Sequence, residues 1–468
     1  MIWHARAMHR ALLLLVILGC GSSPSPAKPL PPQPAPPPPA PVVTAPSFPG
    51  APDTPAGREL AWALDLIAHR GGAADQAELQ KHFHASFLAQ VPIEQVGQVF
   101  AGLAGQMHDI ALVDVKGGAN ELVAHATAGG TKLVISLALD PASHQITGLV
   151  FRPDADALPM PKSWDEAVAM TKELGPRATL LVAALDKGAC KSLHELAPKD
   201  ELALGSTFKL YVLLALVDRI AAGKLSWDQE LAVRDDWKSL PGGITQNDAA
   251  GTKLTVRTFA ERMISISDNT ATDHLLYTVG RDNVEAALKS AKHGKPQLDR
   301  PFLSTRELFV FRLATSPDDF AKYLAMPEAK KRSYLDKTVA GMKPELAGAA
   351  AWTGARSIDK LEWYASAEDL CRVMDTLRTR SKTEKLAPLL DVLAKNPGVG
   401  IDKAAFPYAG FKGGSEPGVI NLTFLLRRAD DKWFVVTLGA NTAEGGTVDE
   451  QRAAGVAQGV IALLGKER

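Results

Sequence analysis

The chain has 468 residues with 52 basic and 52 acidic side chains, so it carries no net charge. A neutral chain exerts no long-range pull on phosphate backbones, which argues against nucleic acid as a partner. An apolar share of 46% allows sizeable cores, and the length fits two or three domains. Three cysteines are too few for a disulfide framework, and no CxxC zinc spacing occurs. Collagenous, wholly disordered and polytopic membrane proteins are excluded.

The chain opens with Arg6, His9 and Arg10 ahead of the apolar run Ala11 to Leu18. That run is too short to remain in a bilayer as a helix and reads as an export signal. Its end, Ile17-Leu18-Gly19-Cys20, resembles the bacterial lipobox. The resemblance implies a lipoprotein signal peptide over residues 1–19, cleavage before Cys20, and acylation of the Cys20 thiol. A plain secretory signal with an incidental cysteine is the alternative. Gly21, where an aspartate would favour inner-membrane retention, points to the outer membrane facing the periplasm. Thirteen of the thirty residues from Gly21 to Gly50 are proline. Such a stretch lacks backbone donors and extends as polyproline II, so residues 20–55 form a tether.

Two folded regions follow. In residues 56–154, Leu60, Leu64 and Ile67 recur at helical spacing, and Ile93–Met107 is a second amphipathic stretch. Strand patterns then cover Ile110–Lys116, Glu121–Ala128, Lys132–Asp140 and Gln145–Arg152. Helices followed by an antiparallel meander make an α+β cone, similar to ketosteroid-isomerase-like modules. His82 and His84 read as surface residues rather than a metal pair, because Ser86 breaks the HxHxD pattern. Residues 161–468 form the larger domain. Ser163 and Glu166 open a helix to about Leu174. Strands are expected at Ala178–Leu185 and Cys190–Glu195, and again at Tyr408–Lys412, Val419–Arg427 and Trp433–Leu438. With a last helix near Val448–Leu464, they form one mixed α/β sheet flanked by terminal helices, with a helical insertion between its two halves. The fold class is therefore α+β and multidomain.

Ser206-Thr-Phe-Lys209 opens an apolar helical run, and residues i and i+3 share a face. A serine hydroxyl needs a nearby base to act as nucleophile at neutral pH. A lysine buried among Leu210, Tyr211, Val212 and Leu213 can lose its charge and serve as one. Ser267-Asp268-Asn269 interrupts a second helical stretch, as a turn presenting side chains to a cleft would. Lys412-Gly413-Gly414-Ser415 follows a strand pattern, its glycines allowing close approach to the backbone. SxxK, SDN and KxG in this order resemble the penicillin-recognising serine enzymes, and class A β-lactamases most closely.

The resemblance implies acyl transfer without metal or cofactor. Ser206 would attack a carbonyl, and Lys209 would take its proton or tune the group that does. Ser267 would relay a proton to the leaving nitrogen. Asn269 would bind the substrate amide and hold Lys209, and Lys412 would favour a substrate carboxylate. Gly414 and Ser415 would line the substrate site, the backbone N–H groups of Ser206 and Ser415 forming an oxyanion hole. Asp268 would be a local structural partner. The small-molecule substrate would be a β-lactam, with small acyl esters or slow, sensor-like acylation as alternatives.

Three departures from the family pattern stand out. After Leu298-Asp299-Arg300, the position of the acid that activates the deacylating water holds Phe302. Glu307 is the nearest acid downstream and a candidate for that role, although Ser304 to Glu307 also spells a helix cap. Gly413 replaces the usual hydroxyl residue, and no arginine follows before Leu426. The gap from Ser267 to Lys412 is long, with the charged stretch Met326–Leu346 inside it. Cys190 and Cys371 are expected as two buried free thiols.

Overall fold

The computed structural model describes residues 48–467 apart from 89–90, 92, 106, 155–157, 240–241 and 343–351. The signal, Cys20 and most of the proline-rich tether lie outside these residues. The chain divides into two compact units between Ala157 and Leu158.

In the small unit, α1 (Pro55–Ala68), α2 (Gln76–His82), α3 (Ala85–Leu88) and α4 (Ile93–Ala104) precede the strands β1 (Ala111–Gly117), β2 (Glu121–Ala128), β3 (Thr131–Leu139) and β4 (Ile146–Pro153). The strands form an antiparallel meander in the order β1-β2-β3-β4. Leu60, Leu64 and Ile67 of α1 enter one core with alternate residues of β2 and β3. His82 is not a bare surface residue: its ring stacks on Trp62 at 3.7 Å, and Nδ1 lies 2.7 Å from Glu59 Oε2.

The larger unit begins with α5 (Trp164–Lys172), β5 (Arg177–Asp186), β6 (Ala189–Leu196) and the short β7 (Leu202–Ala203). Ser163 Oγ caps α5, whereas the Glu166 carboxylate accepts from Lys162 N instead of closing a box on Ser163. A 3₁₀ turn at Gly205–Phe208 leads into α6 (Lys209–Ala221). Next come β8 (Glu230–Ala232), β9 (Lys253–Thr255), α7 (Val256–Ser265), α8 (Asn269–Val279), α9 (Arg281–Ser290), α10 (Thr305–Leu313), α11 (Pro317–Leu324) and α12 (Glu328–Lys337). The chain closes with β10 (Tyr364–Ala365), α13 (Ala367–Arg380), α14 (Pro388–Ala394), β11 (Tyr408–Glu416), β12 (Val419–Arg427), β13 (Trp433–Asn441) and α15 (Glu450–Lys466).

Five strands form the main sheet in the order β11-β12-β13-β5-β6. Every pairing is antiparallel, so the sheet is not mixed in strand direction. β12 and β13 are apolar almost without alternation because both faces are covered. Val436 and Leu438 pack with Val456, Val460 and Leu464 of α15. Val435 and Leu425 face the other way, into the core built around α6. Leu210 to Val217 are all buried, as expected of a helix apolar on every side. β11 is an edge strand of the sheet, and α6 starts beside it.

Cys190 and Cys371 are not free. They form a disulfide joining β6 to α13, with Cα atoms 6.3 Å apart and 181 residues between them in sequence. Spacing along the chain carries no trace of that distance, so the sequence-based expectation fails here. A cross-link closing so long a loop restricts the unfolded chain. Reduction should therefore lower the stability of the larger unit by about 3–5 kcal/mol, read as a drop in the urea midpoint with and without reductant.

Candidate active site

The Ser206 turn is held from three sides. Leu204 N donates to Trp363 O at 2.9 Å, and the Phe208 ring stacks on Trp363 at 3.6 Å. Phe302 meets Phe208 edge-on at 5.8 Å. Gly205 has φ +50°, and a Cβ there would lie 3.0 Å from Ser415 N. Gly414 is tighter still, since its Cβ would lie 2.6 Å from Ser206 N and 2.2 Å from Leu204 O. Only glycine lets β11 approach the backbone of the Ser206 turn this closely.

Ser206, Lys209, Ser267, Asn269 and Lys412 come together at one point. Lys209 Nζ lies 3.0 Å from Ser206 Oγ and 3.0 Å from Ser267 Oγ. It donates to Ser267 O and to Asn269 Oδ1, both at 2.7 Å. Lys412 Nζ lies 3.1 Å from Ser267 Oγ and also donates to Gly413 O. The Ser267 hydroxyl therefore sits between two amines.

Burial sets the charge of these amines. It brings Lys209 down to about 7, against the pull of Asp268 and Asp273. Burial pushes Lys412 well below the usual lysine range, and the neighbouring Lys209 adds to the effect. A neutral amine offers two N–H bonds and one lone pair. Ser267 O and Asn269 Oδ1 can only accept, so they take both N–H bonds of Lys209. The lone pair is left for the hydroxyls of Ser206 and Ser267. The packing thus arranges a base against the serine.

The Ser267-Asp268-Asn269 turn is fixed by a carboxylate. Asp268 accepts from Ile244 N, Thr245 N and Ala271 N, each at 2.8 Å, and caps α8. Ser267 adopts φ +56°, a left-handed conformation that non-glycine residues visit at a cost. The turn packs on Gly242 and Gly243, which belong to none of the three motifs. Asn269 N donates to Gly242 O at 2.9 Å, and a Cβ on Gly243 would collide with the Asp268 carboxyl.

Phe302 is fully buried. Glu307, the candidate acid downstream, is committed elsewhere. It closes a capping box with Ser304 and forms a two-pronged ion pair with Arg281 at 2.7 and 3.1 Å. Its carboxylate oxygens are spent on the N-terminus of α10 and on a guanidinium. A Cβ on Gly413 would lie 2.7 Å from the tip of the Phe411 ring, so a hydroxyl residue there would displace that side chain. Among the described residues, no group of three or more His, Cys, Asp or Glu could hold a metal ion.

Residues 167–385 match a family described as the β-lactamase enzyme family, and residues 51–144 match one described as the ORF 12 gene product N-terminal. The larger unit is thus β-lactamase-like, and the small unit matches in those terms, which do not bear on its likeness to ketosteroid-isomerase modules. No curated protein matches the chain. Similar solved structures include a β-lactamase from Sphaerobacter thermophilus, at 18% identity over 65% of this chain and 99% of that one, TM-score 0.44. PBP-A is 16% identical over 66% of this chain and 100% of its own, TM-score 0.42. An ancestral class A β-lactamase is 19% identical over 65% and 99%, TM-score 0.44.

Two substitutions probe this geometry. Gly414→Ala should push β11 off the Ser206 turn and slow labelling by a fluorescent penicillin at least about 100-fold, with the melting temperature followed in parallel. Glu307→Gln should strand the Arg281 charge and cost about 3 kcal/mol in urea denaturation.

Proposed function

We propose that the β-lactamase-like unit is a serine acyl hydrolase that opens β-lactam amides through an acyl-Ser206 intermediate. The observation that carries this reading is the Lys209 amine, buried, brought near neutrality and 3.0 Å from the Ser206 hydroxyl. Its lone pair takes the hydroxyl proton as Ser206 Oγ bonds to the carbonyl carbon. Negative charge then develops on the carbonyl oxygen, and the Ser206 and Ser415 backbone N–H groups serve as its oxyanion hole. The closeness of Gly414 to Ser206 N supports that assignment. When the C–N bond breaks, the leaving nitrogen needs a proton. Ser267 supplies it, drawing on the amines that flank its hydroxyl. Asn269 orients the substrate amide, and Lys412 attracts a substrate carboxylate.

Water must then release the acyl group. With Phe302 where the family carries an acid, and Glu307 tied to Arg281, this step is slow on β-lactams. The same observation favours a second reading, hydrolysis of small acyl esters: the alcohol leaves as acyl-Ser206 forms, and release of the small acyl group by water calls for no dedicated acid. Persistent acylation without turnover would instead make the unit a penicillin sensor. Acylation of Cys20 would tether the protein to the outer membrane, with both folded units in the periplasm.

Ser206→Ala should abolish turnover of a chromogenic cephalosporin and of p-nitrophenyl acetate, and turnover at the unsubstituted rate would overturn the mechanism. The base form of Lys209 is lost on protonation. The acylation rate should therefore fall as pH drops through about 7, measured from roughly pH 5 to pH 9.

A further inference from the structure

Asp273 is absent from the motifs that define the site, yet it is fully buried beside them. It lies four residues after Asn269 on α8, on the same helix face. Its Oδ1 accepts from Thr305 N at 2.7 Å and from Thr305 Oγ1 at 2.8 Å, and Oδ2 accepts from Arg306 N at 2.9 Å. Thr305 Oγ1 also lies 3.2 Å from Asn269 O and 2.7 Å from Ser239 Oγ. Asn269 in turn accepts from Lys209 at 2.7 Å. An unbroken set of short contacts runs from a buried carboxyl to the residue that holds the amine.

We propose that Asp273 is a positioning residue of the Ser206 site, pinning the turn that starts α10 to the back of Asn269 and laying a buried negative charge behind Lys209. The inference rests on Lys209 acting as the base. Other charges around the two groups are accounted for. Asp268 also raises the proton affinity of Lys209, but its carboxylate is spent on three backbone N–H groups of the SDN turn. Lys412 faces Lys209 across Ser267, where burial and the neighbouring Lys209 both lower its proton affinity. Asp273 is itself pushed up to about 7 by burial, opposed by its Arg306 and Thr305 donors and reinforced by Glu307. Tyr277 faces it from the same helix and remains a neutral phenol.

Above neutrality Asp273 is ionised, and its charge makes the Lys209 proton harder to lose. Without that charge the amine becomes neutral at lower pH. Asp273→Asn should therefore move the acid limb of p-nitrophenyl acetate acylation downward by about one pH unit. Thr305→Val removes the Oγ1 contacts to Asp273, Asn269 O and Ser239 Oγ but leaves both backbone donors to Asp273, so it should lower the rate and move the limb less than Asp273→Asn does. A limb that stays put or rises in Asp273→Asn overturns the proposal. Should that variant fail to fold, the unsubstituted protein decides the matter by NMR. The Lys209 Nζ resonance must show a second inflection where the Asp273 carboxyl titrates, and a single independent inflection overturns the proposal. Failure of the mechanism itself reads differently: no acyl probe would label Ser206, while the two titrations would still report on each other.

Discussion

The larger unit turns on one desolvated amine. Lys209 begins a helix buried on all sides, so its ammonium form has no water to stabilise it. Two carbonyl-type oxygens take its N–H bonds and leave its lone pair to hydroxyls. Each surrounding feature maintains that arrangement. The Asp268 cap holds Ser267 in its left-handed turn, Asn269 is braced from behind by Thr305 and Asp273, and Gly414 lets β11 close over the Ser206 turn.

This explains why residues far apart in sequence act as one group. Ser206 and Lys209 lie on the turn into α6, Ser267 and Asn269 at the α7–α8 junction, and Lys412 on an edge strand made from the far end of the chain. The sheet brings β11 beside the start of α6 by pairing β13 with β5, which joins the two halves of the unit. The disulfide between β6 and α13 adds a covalent link to the same unit.

Much of the architecture was legible in the sequence because its signals are local. The β2 and β12 boundaries follow from apolar runs bounded by turn residues, and Ser304 with Glu307 spelled the capping box that is present. The SxxK, SDN and KxG motifs were legible because each is a short run on a single element. What escaped depends on contacts between distant segments. The Cys190–Cys371 bond, the Trp363 platform under Phe208 and the Asp273–Thr305 clamp pair residues with no common pattern in sequence. Gly242 and Gly243 could have been noticed as a paired-glycine turn, but nothing nearby tied them to Asp268. Glu307 shows the same limit from the other side. Its place in the sequence allowed a catalytic acid or a cap, and only the position of Arg281 separates the two.

In the proposed function, Phe302 divides the chemistry in two. Acylation, as proposed, would depend on the Lys209 amine 3.0 Å from Ser206 Oγ and on the Ser206 and Ser415 backbone N–H groups. Release, in the same proposal, would need an activated water, and the side chain at position 302 is a phenylalanine packed into the core. The balance between those two proposed steps would decide whether the unit behaves as a hydrolase or as a trap.

Peptide-mapped mass spectrometry of the full chain, sampled over time after mixing with penicillin G, tests the central claim most directly. The account requires an acyl adduct on the peptide bearing Ser206, formed faster above neutral pH than below it. An adduct on any other residue, or a Ser206 adduct whose rate ignores pH, would contradict it.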